Sequence, residues 1–376
     1  MIERTIKPRL LKTLFKGKAA IIYGARQVGK TTLMREIERS CGVPSLYLNC
    51  DEPDVRQTLT EKTSTELKAL IGKTKLLLID EAQRVTNIGI TLKLFVDAIP
   101  ETQVIATGSS SFELSNKIVE PLTGRKFEFH LHPFSLEELG QIHSPLELGR
   151  LLETRLIFGM YPDVVNSPEA AAATLRELTR SYLYKDILAH NRIRHSDVLE
   201  KLLQSLALQA GSEVSYSELA QQAGVDKVTV ESYIRLLEQA FVIFRLRPYS
   251  TNQRNELKKM RKIYFVDTGL RNMLINNLNP PELRSDMGNL WENFVIAERL
   301  KHNENHGNYP GIWFWRNHQQ QEVDYLEESG GALNGWEIKW GKARFRVPPA
   351  FATVYPQCPV ELINWDNLLD FVGARG

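Results

Sequence analysis

Residues Gly24 to Thr31 read Gly-Ala-Arg-Gln-Val-Gly-Lys-Thr, and no other feature limits the fold of this chain as tightly. The pattern is G-x-x-x-x-G-K-[ST], a phosphate-binding loop, and its flanks agree with that role. Ahead of it stands a short apolar run, Ala19-Ala20-Ile21-Ile22-Tyr23, of the length of a buried strand. Behind it Leu33, Met34 and Ile37 fall at helical spacing. A strand that turns through glycines into a helix aims backbone N–H groups and the helix dipole at one anion. The spacing thus predicts that Gly24, Ala25, Arg26, Gln27, Val28, Gly29, Lys30, Thr31 and Thr32 hold a nucleoside triphosphate. Lys30 would neutralise the β- and γ-phosphates, and the Thr31 hydroxyl would ligate magnesium.

A metal-dependent phosphate site needs a carboxylate on a neighbouring strand. Leu76-Leu77-Leu78-Ile79 ends in Asp80-Glu81, about fifty residues after Lys30. Such a run fits a buried parallel strand whose C-terminal end opens on the ligand crevice. Asp80 is then the magnesium residue, and Glu81 orients and deprotonates the attacking water. A third apolar run, Val104-Ile105-Ala106-Thr107, leads into Gly108-Ser109-Ser110-Ser111. A polar group there can touch the γ-phosphate. Thr107, Ser109 and Ser110 all qualify, and we take Ser109 as the nucleotide contact. Arg125, on the turn Thr123-Gly124-Arg125, fits either a finger toward a neighbouring subunit's nucleotide or a surface arginine that pairs locally.

The chain has 376 residues, enough for two or three domains, and its 43% hydrophobic and 24% charged content is that of a globular protein. No stretch nears the roughly 18 uninterrupted apolar residues of a membrane span. Met1-Ile2-Glu3-Arg4-Thr5 shows no apolar signal core. Cys41, Cys50 and Cys358 are too scattered for a disulfide framework or a zinc site. A cytoplasmic protein is expected. The net charge of +2 leaves nucleic-acid binding to local basic patches.

Phe127, Phe129 and Leu131 alternate as in a last core strand, and Ser135 with Glu138 forms a capping box. Helical spacing then continues to about His195, with Tyr182, Leu183, Asp186 and Ile187 prominent, as in a helical lid. Next come a helix carrying Leu202, Leu203, Leu206 and Leu208, a second from Ser217 to Gly224, and a third from Asp226 to Leu237 with Val228, Ile234, Leu236 and Leu237 apolar. A ribbon, Val242 to Arg247 and Ile263 to Phe265, completes a winged helix. The third helix would show Lys227, Thr229, Glu231, Ser232 and Arg235 outward, a mediocre groove reader. The wing gathers Arg245, Arg247, Arg254, Lys258, Lys259, Arg261 and Lys262, which suit phosphate contacts. A plain packing module is the alternative.

In the last third, Glu292 lies on an amphipathic helix from Leu290, followed by Ile312-Trp313-Phe314-Trp315-Arg316, Glu322-Val323-Asp324-Tyr325-Leu326 and Trp336-Glu337-Ile338-Lys339-Trp340. An Asp on one strand and Glu-x-Lys on the next is the PD-(D/E)XK nuclease arrangement. The period-2 pleat puts Glu337 and Lys339 on one face. Asp324 and Glu337 would share a metal ion that Glu292 completes, and Lys339 would polarise a water or the scissile phosphate. A domain of this fold that only grips DNA has the same outline.

The order of these motifs resembles a family of prokaryotic AAA+ ATPases with a winged helix and a C-terminal PD-(D/E)XK-like domain. The likeness rests on Gly24 to Thr32, Leu78-Ile79-Asp80-Glu81-Ala82-Gln83, Thr107-Gly108-Ser109-Ser110, Gly124-Arg125, Phe265-Val266-Asp267-Thr268-Gly269-Leu270, Glu322-Val323-Asp324 and Glu337-Ile338-Lys339. It implies an α/β chain: a P-loop AAA+ core over 1–134, a helical lid over 135–198, a winged helix over 199–265 and a restriction-endonuclease-like domain over 266–376. It also implies ATP and Mg2+ as cofactors, a homo-oligomeric ring (hexamer or heptamer) with Arg125 acting in trans, and branched or single-stranded DNA as partner. The alternative is an ATP-dependent assembly switch whose C-terminal domain is catalytically silent.

Overall fold

The computed structural model describes residues 2–108, 122–180, 196–250, 261–342 and 344–375. The chain divides into two compact units, one of Glu3–His132 with Gln239–Phe241, the other of Pro133–Glu238 and Val242–Gly376 with the first two residues.

The first unit is built on five parallel strands: β1 (Ala19–Tyr23), β2 (Ser45–Asn49), β3 (Leu76–Asp80), β4 (Gln103–Gly108) and β5 (Lys126–His130). Their order is β2-β3-β4-β1-β5. Every residue of β1, β3 and β4 is buried, which is why these strands read as unbroken apolar runs rather than alternating ones. Helix α1 (Lys30–Cys41) starts directly after Gly29 and buries Leu33, Met34 and Ile37. The sheet order puts β1 between β4 and β5, with β3 next to β4, so the ends of β1, β3 and β4 open on one crevice.

In the second unit, α2 (Leu136–Gly140) starts on the expected capping box, with Glu138 N–H donating to Ser135 Oγ at 3.2 Å. Helix α3 (Pro145–Phe158) follows. Tyr182, Leu183, Asp186 and Ile187 lie outside the described residues. Then come α4 (Ser196–Leu208), β6 (Glu213–Val214), α5 (Tyr216–Ala223), α6 (Lys227–Gln239), β7 (Ile243–Pro248) and β8 (Arg261–Phe265). Helix α5 starts one residue earlier than read, because Ser215 rather than a later residue caps it. Two of the apolar residues on these helices are exposed: Leu208 ends α4 at 66% exposure and Val228 lies in the first turn of α6 at 75%. The terminal turns of both helices project past the packed face, which Leu202, Leu203, Val230 and Ile234 supply.

Helix α7 (Thr268–Leu274) and the twenty-residue α8 (Met287–His306) lead to β9 (Gly311–Arg316), β10 (Glu322–Ser329), β11 (Ala332–Ile338) and β12 (Val360–Ile363). One seven-stranded sheet, β12-β11-β10-β9-β7-β8-β6, takes in the strands on both sides of residue 265, joined where β7 pairs in parallel with β9. Its core packs Trp291, Phe294 and Val295 of α8 against Tyr325, Trp336 and Ile338.

Candidate functional site: a phosphate loop and a buried acidic cluster

In the first unit, local chain geometry sets the loop between β1 and α1. A Cβ at Gly24 would run into the carbonyl oxygen of Leu131, and Gly29 caps α1 at φ +92°, a conformation open to glycine. Arg4 clamps the loop from behind, donating to the carbonyls of Val28 (2.9 Å) and His132 (2.5 Å). The Lys30 ammonium, 5% exposed, is held inside the loop by the carbonyls of Gly24 (3.0 Å) and Ala25 (2.7 Å).

Asp80, at the C-terminal end of β3, is the hub. Its Oδ2 accepts from Thr31 Oγ1 at 2.6 Å and from the Tyr47 hydroxyl at 2.7 Å, and its Oδ1 accepts from Thr107 Oγ1. Thr107 is fully buried and accepts in turn from Glu81 N–H at 3.1 Å. Glu81 sits at φ +52°, an uncommon and strained conformation for glutamate, and its side chain accepts from Gln83 Nε2. Of the three residues able to reach the phosphate from β4, the structure brings Thr107 onto Asp80; Ser109 and Ser110 lie outside the described residues. Thr31 and Asp80 present two hard oxygens side by side, a donor set that fits magnesium.

Arg125 stands elsewhere. It precedes β5, whose first residue Lys126 is in register with Ala19 at the start of β1, at the strand end opposite the loop. Its Nε pairs with Asp97 Oδ1 at 2.6 Å, and both side chains are about two-fifths exposed.

In the second unit, Asp324, Glu337 and Lys339 converge as their spacing predicts. Lys339 Nζ is 2.6 Å from Glu337 Oε1 and 3.6 Å from Asp324 Oδ2. Pairing between β9 and β10 shifts register between Val323 and Leu326, and such an irregularity re-aims a side chain. Asp324 lies within it, accepting the Ile338 N–H at 2.8 Å. Glu337 Oε2 is buried without a hydrogen-bond partner among the described residues. Burial and the neighbouring Asp324 push the Glu337 carboxyl up to about 7.

Glu292 joins the cluster in a way the sequence did not reveal. Its Oε1 accepts from Lys262 Nζ at 2.9 Å and from the Tyr264 hydroxyl at 2.6 Å. Burial raises its carboxyl to about 7, with Lys262 opposing and Asp324 adding to the rise. Lys262 also pairs with Glu322 and is 2% exposed. The reading of Lys262 as a wing phosphate contact is therefore corrected: this ammonium is sealed among carboxylates that compensate its burial. Arg245 is likewise half-buried, paired with Glu238 and Tyr216. Arg254, Lys258 and Lys259 lie outside the described residues. On the α6 face Lys227 and Arg235 are exposed, as is Arg247 on β7. The signal missed for Lys262 was the strand period, since Lys262 and Tyr264 share one face of β8. Tyr47 and Arg4 carried no sequence signal.

A five-stranded parallel sheet with a Gly-x-x-x-x-Gly-Lys-Thr loop after its interior strand β1 is the frame of an AAA-type P-loop domain, and residues 16–140 match the family model described as an AAA domain. Two further segments match models for domains of unknown function, DUF8612 over 149–281 and DUF4143 over 287–356. An uncharacterized protein of Mycobacterium tuberculosis is 28% identical over 344 residues, covering 90% of this chain and 74% of its own length. One of Haemophilus influenzae is 26% identical, covering 75% of this chain and 74% of its own. Among solved structures, a mutant of Thermotoga maritima RuvB covers 68% of this chain and 93% of its own, at 16% identity and TM-score 0.33. Domain III of the Thermotoga maritima replication initiation protein DnaA covers 57% and 87%, at 18% identity and TM-score 0.28. No helix of the described residues is long and apolar enough to cross a membrane.

Proposed function

We propose that this protein hydrolyses ATP at the loop of its AAA-type domain and uses the cycle to act on DNA as a homo-oligomer. The observation that carries the reading is the Thr31–Asp80–Thr107–Glu81 chain of hydrogen bonds beside Lys30. Lys30 binds the phosphates as a cation, and the loop N–H groups orient them. Thr31 and Asp80 would hold a magnesium ion, which would supply neutralisation of phosphate charge. Glu81 takes the proton of the attacking water, with Gln83 fixing its carboxylate. Thr107 holds Asp80 and the Glu81 backbone in place. Purified Lys30→Ala should lose hydrolysis and bind ATP weakly. Glu81→Gln should bind ATP yet turn it over at least about 100-fold more slowly, since a positioned base supplies 10²–10⁴-fold. Parent-rate turnover by Glu81→Gln sinks the assignment of the base.

The DNA reading is supported by the helix–strand–helix–helix–strand–strand order of residues 196–265 and by exposed Lys227, Arg235 and Arg247. ATPase stimulation by branched or single-stranded DNA tests it. A second reading, metal-dependent cleavage at the acidic cluster, is favoured by Glu337 Oε2, beside Asp324 and without a hydrogen-bond partner among the described residues. Asp324 and Glu337 fit a divalent cation; Glu292 has one oxygen already committed to Lys262. Manganese-dependent nicking of labelled forked DNA, lost in Asp324→Ala and Lys339→Ala while ATP hydrolysis persists, is the expected result. Equal nicking by the double variant overturns it.

A further inference from the structure

Histidines 302 and 306 stand four residues apart at the C-terminal end of α8, so the helix puts both rings on one face, the spacing by which a helix presents two imidazoles to one metal. Their ring centroids are 4.7 Å apart. Into the gap comes Glu137 from α2, its Oε2 3.1 Å from His302 Nδ1 and its Oε1 2.7 Å from His306 Nε2. The three donor groups lie within 4.8 Å of one another. Tetrahedral zinc with bonds of about 2.1 Å sets ligand atoms about 3.4 Å apart. Both carboxylate–imidazole approaches are already within that edge, at 3.1 and 2.7 Å.

The surroundings favour a cation held in a fixed cage. Helix α8 ends at His306 with Gly307 as its cap, so the partial negative charge of its last carbonyls faces this end. The His302 ring is pinned by the C-terminal tail: a Cβ at Gly373 would meet its Cε1 at 2.7 Å. His302 and Glu137 are partly buried, and the exposed His306 leaves a path for an ion to enter. Two imidazoles and one carboxylate suit zinc better than magnesium, which favours oxygen.

We propose that Glu137, His302 and His306 bind one divalent transition-metal ion, zinc by chemistry, with water as the fourth ligand. The ion staples α2 to the end of α8 and is separate from both the phosphate loop and the acidic cluster.

The test uses the full chain, stripped with a chelator and titrated with cobalt(II) in excess magnesium, which saturates the oxygen sites and leaves imidazoles free. The parent should develop visible cobalt absorption that saturates at one equivalent and is abolished by zinc, and zinc should raise its melting temperature. His306→Ala and Glu137→Gln should bind cobalt at least about tenfold more weakly. Neither should gain thermal stability from zinc, and both should match the parent's circular dichroism in chelator. Absence of the cobalt band in the parent, or an equal band in His306→Ala, overturns the site and leaves a carboxylate hydrogen-bonded to two imidazoles.

Discussion

Gly24 shows how one missing side chain sets the site. Its α-carbon packs against the Leu131 carbonyl, and Leu131 N–H in turn donates to Tyr23 O at 2.7 Å, so the loop's first turn is locked to the strand end beside it. The partner is backbone and cannot rotate away. Gly24→Ala must therefore push the loop outward, at a cost of about 1–3 kcal/mol for overpacking. If the strain falls on the phosphate-binding geometry, ATP affinity drops about 5- to 150-fold. Titration with a fluorescent ATP analogue reads this directly, and unchanged affinity would show that the loop adapts. Glu81 carries strain of another kind, a positive φ, with its carboxylate accepting from Gln83 Nε2.

At the scale of elements, α8 and β10 are bound by a partly buried ion pair. Arg299 forks onto Glu327, Nε to Oε1 at 2.9 Å and Nη2 to Oε2 at 2.8 Å, and Asn303 Nδ2 and the Tyr325 hydroxyl donate to Oε1 at 2.6 and 2.9 Å. Burial alone would raise the Glu327 carboxyl, but Arg299 and the other donors outweigh it and hold it below the usual carboxylate value. A carboxyl depressed on folding contributes stability above its unfolded pKa of about 4.3, lost as pH falls through the folded value. Glu327→Gln should thus be less stable at pH 7 by about 1–3 kcal/mol, since a neutral amide replaces the carboxylate opposite the partly buried Arg299. The gap between parent and variant should narrow as pH is lowered below about 4. Denaturant melts across that range decide it, and a gap constant with pH would exclude the ionised pair as its source.

At the scale of the whole molecule, Arg125 lies at the β5 end opposite the P-loop, across a five-residue strand of about 16 Å. An arginine there is out of reach of its own subunit's phosphates, so a catalytic role requires a neighbouring copy. Arg125→Ala should bind ATP and hydrolyse it poorly, and mixing it with Glu81→Gln should restore part of the turnover. Each variant supplies what the other lacks where two subunits meet. Specific activity independent of protein concentration, with no rescue on mixing, would assign Arg125 to its ion pair with Asp97 instead.

The P-loop, the acidic strand end and the Glu-x-Lys pair were legible because each is local: glycine conformation, strand period and helix start fix their geometry within a few residues. The buried parallel strands β1, β3 and β4 were legible for the same reason, since burial on both faces writes itself as an apolar run. Lys262 was not, because a lysine in a basic stretch reads the same whether it faces solvent or the carboxylates of Glu292 and Glu322. Tyr47 on Asp80, Arg4 behind the loop and Glu137 between two histidines were equally silent. Each depends on segments brought together across 24 to 169 residues of chain. Sequence by itself determined which short segments can bind phosphate and which strands are buried. Only tertiary packing decided which charges meet, because the cost of burying an ion is settled by partners that no local pattern names.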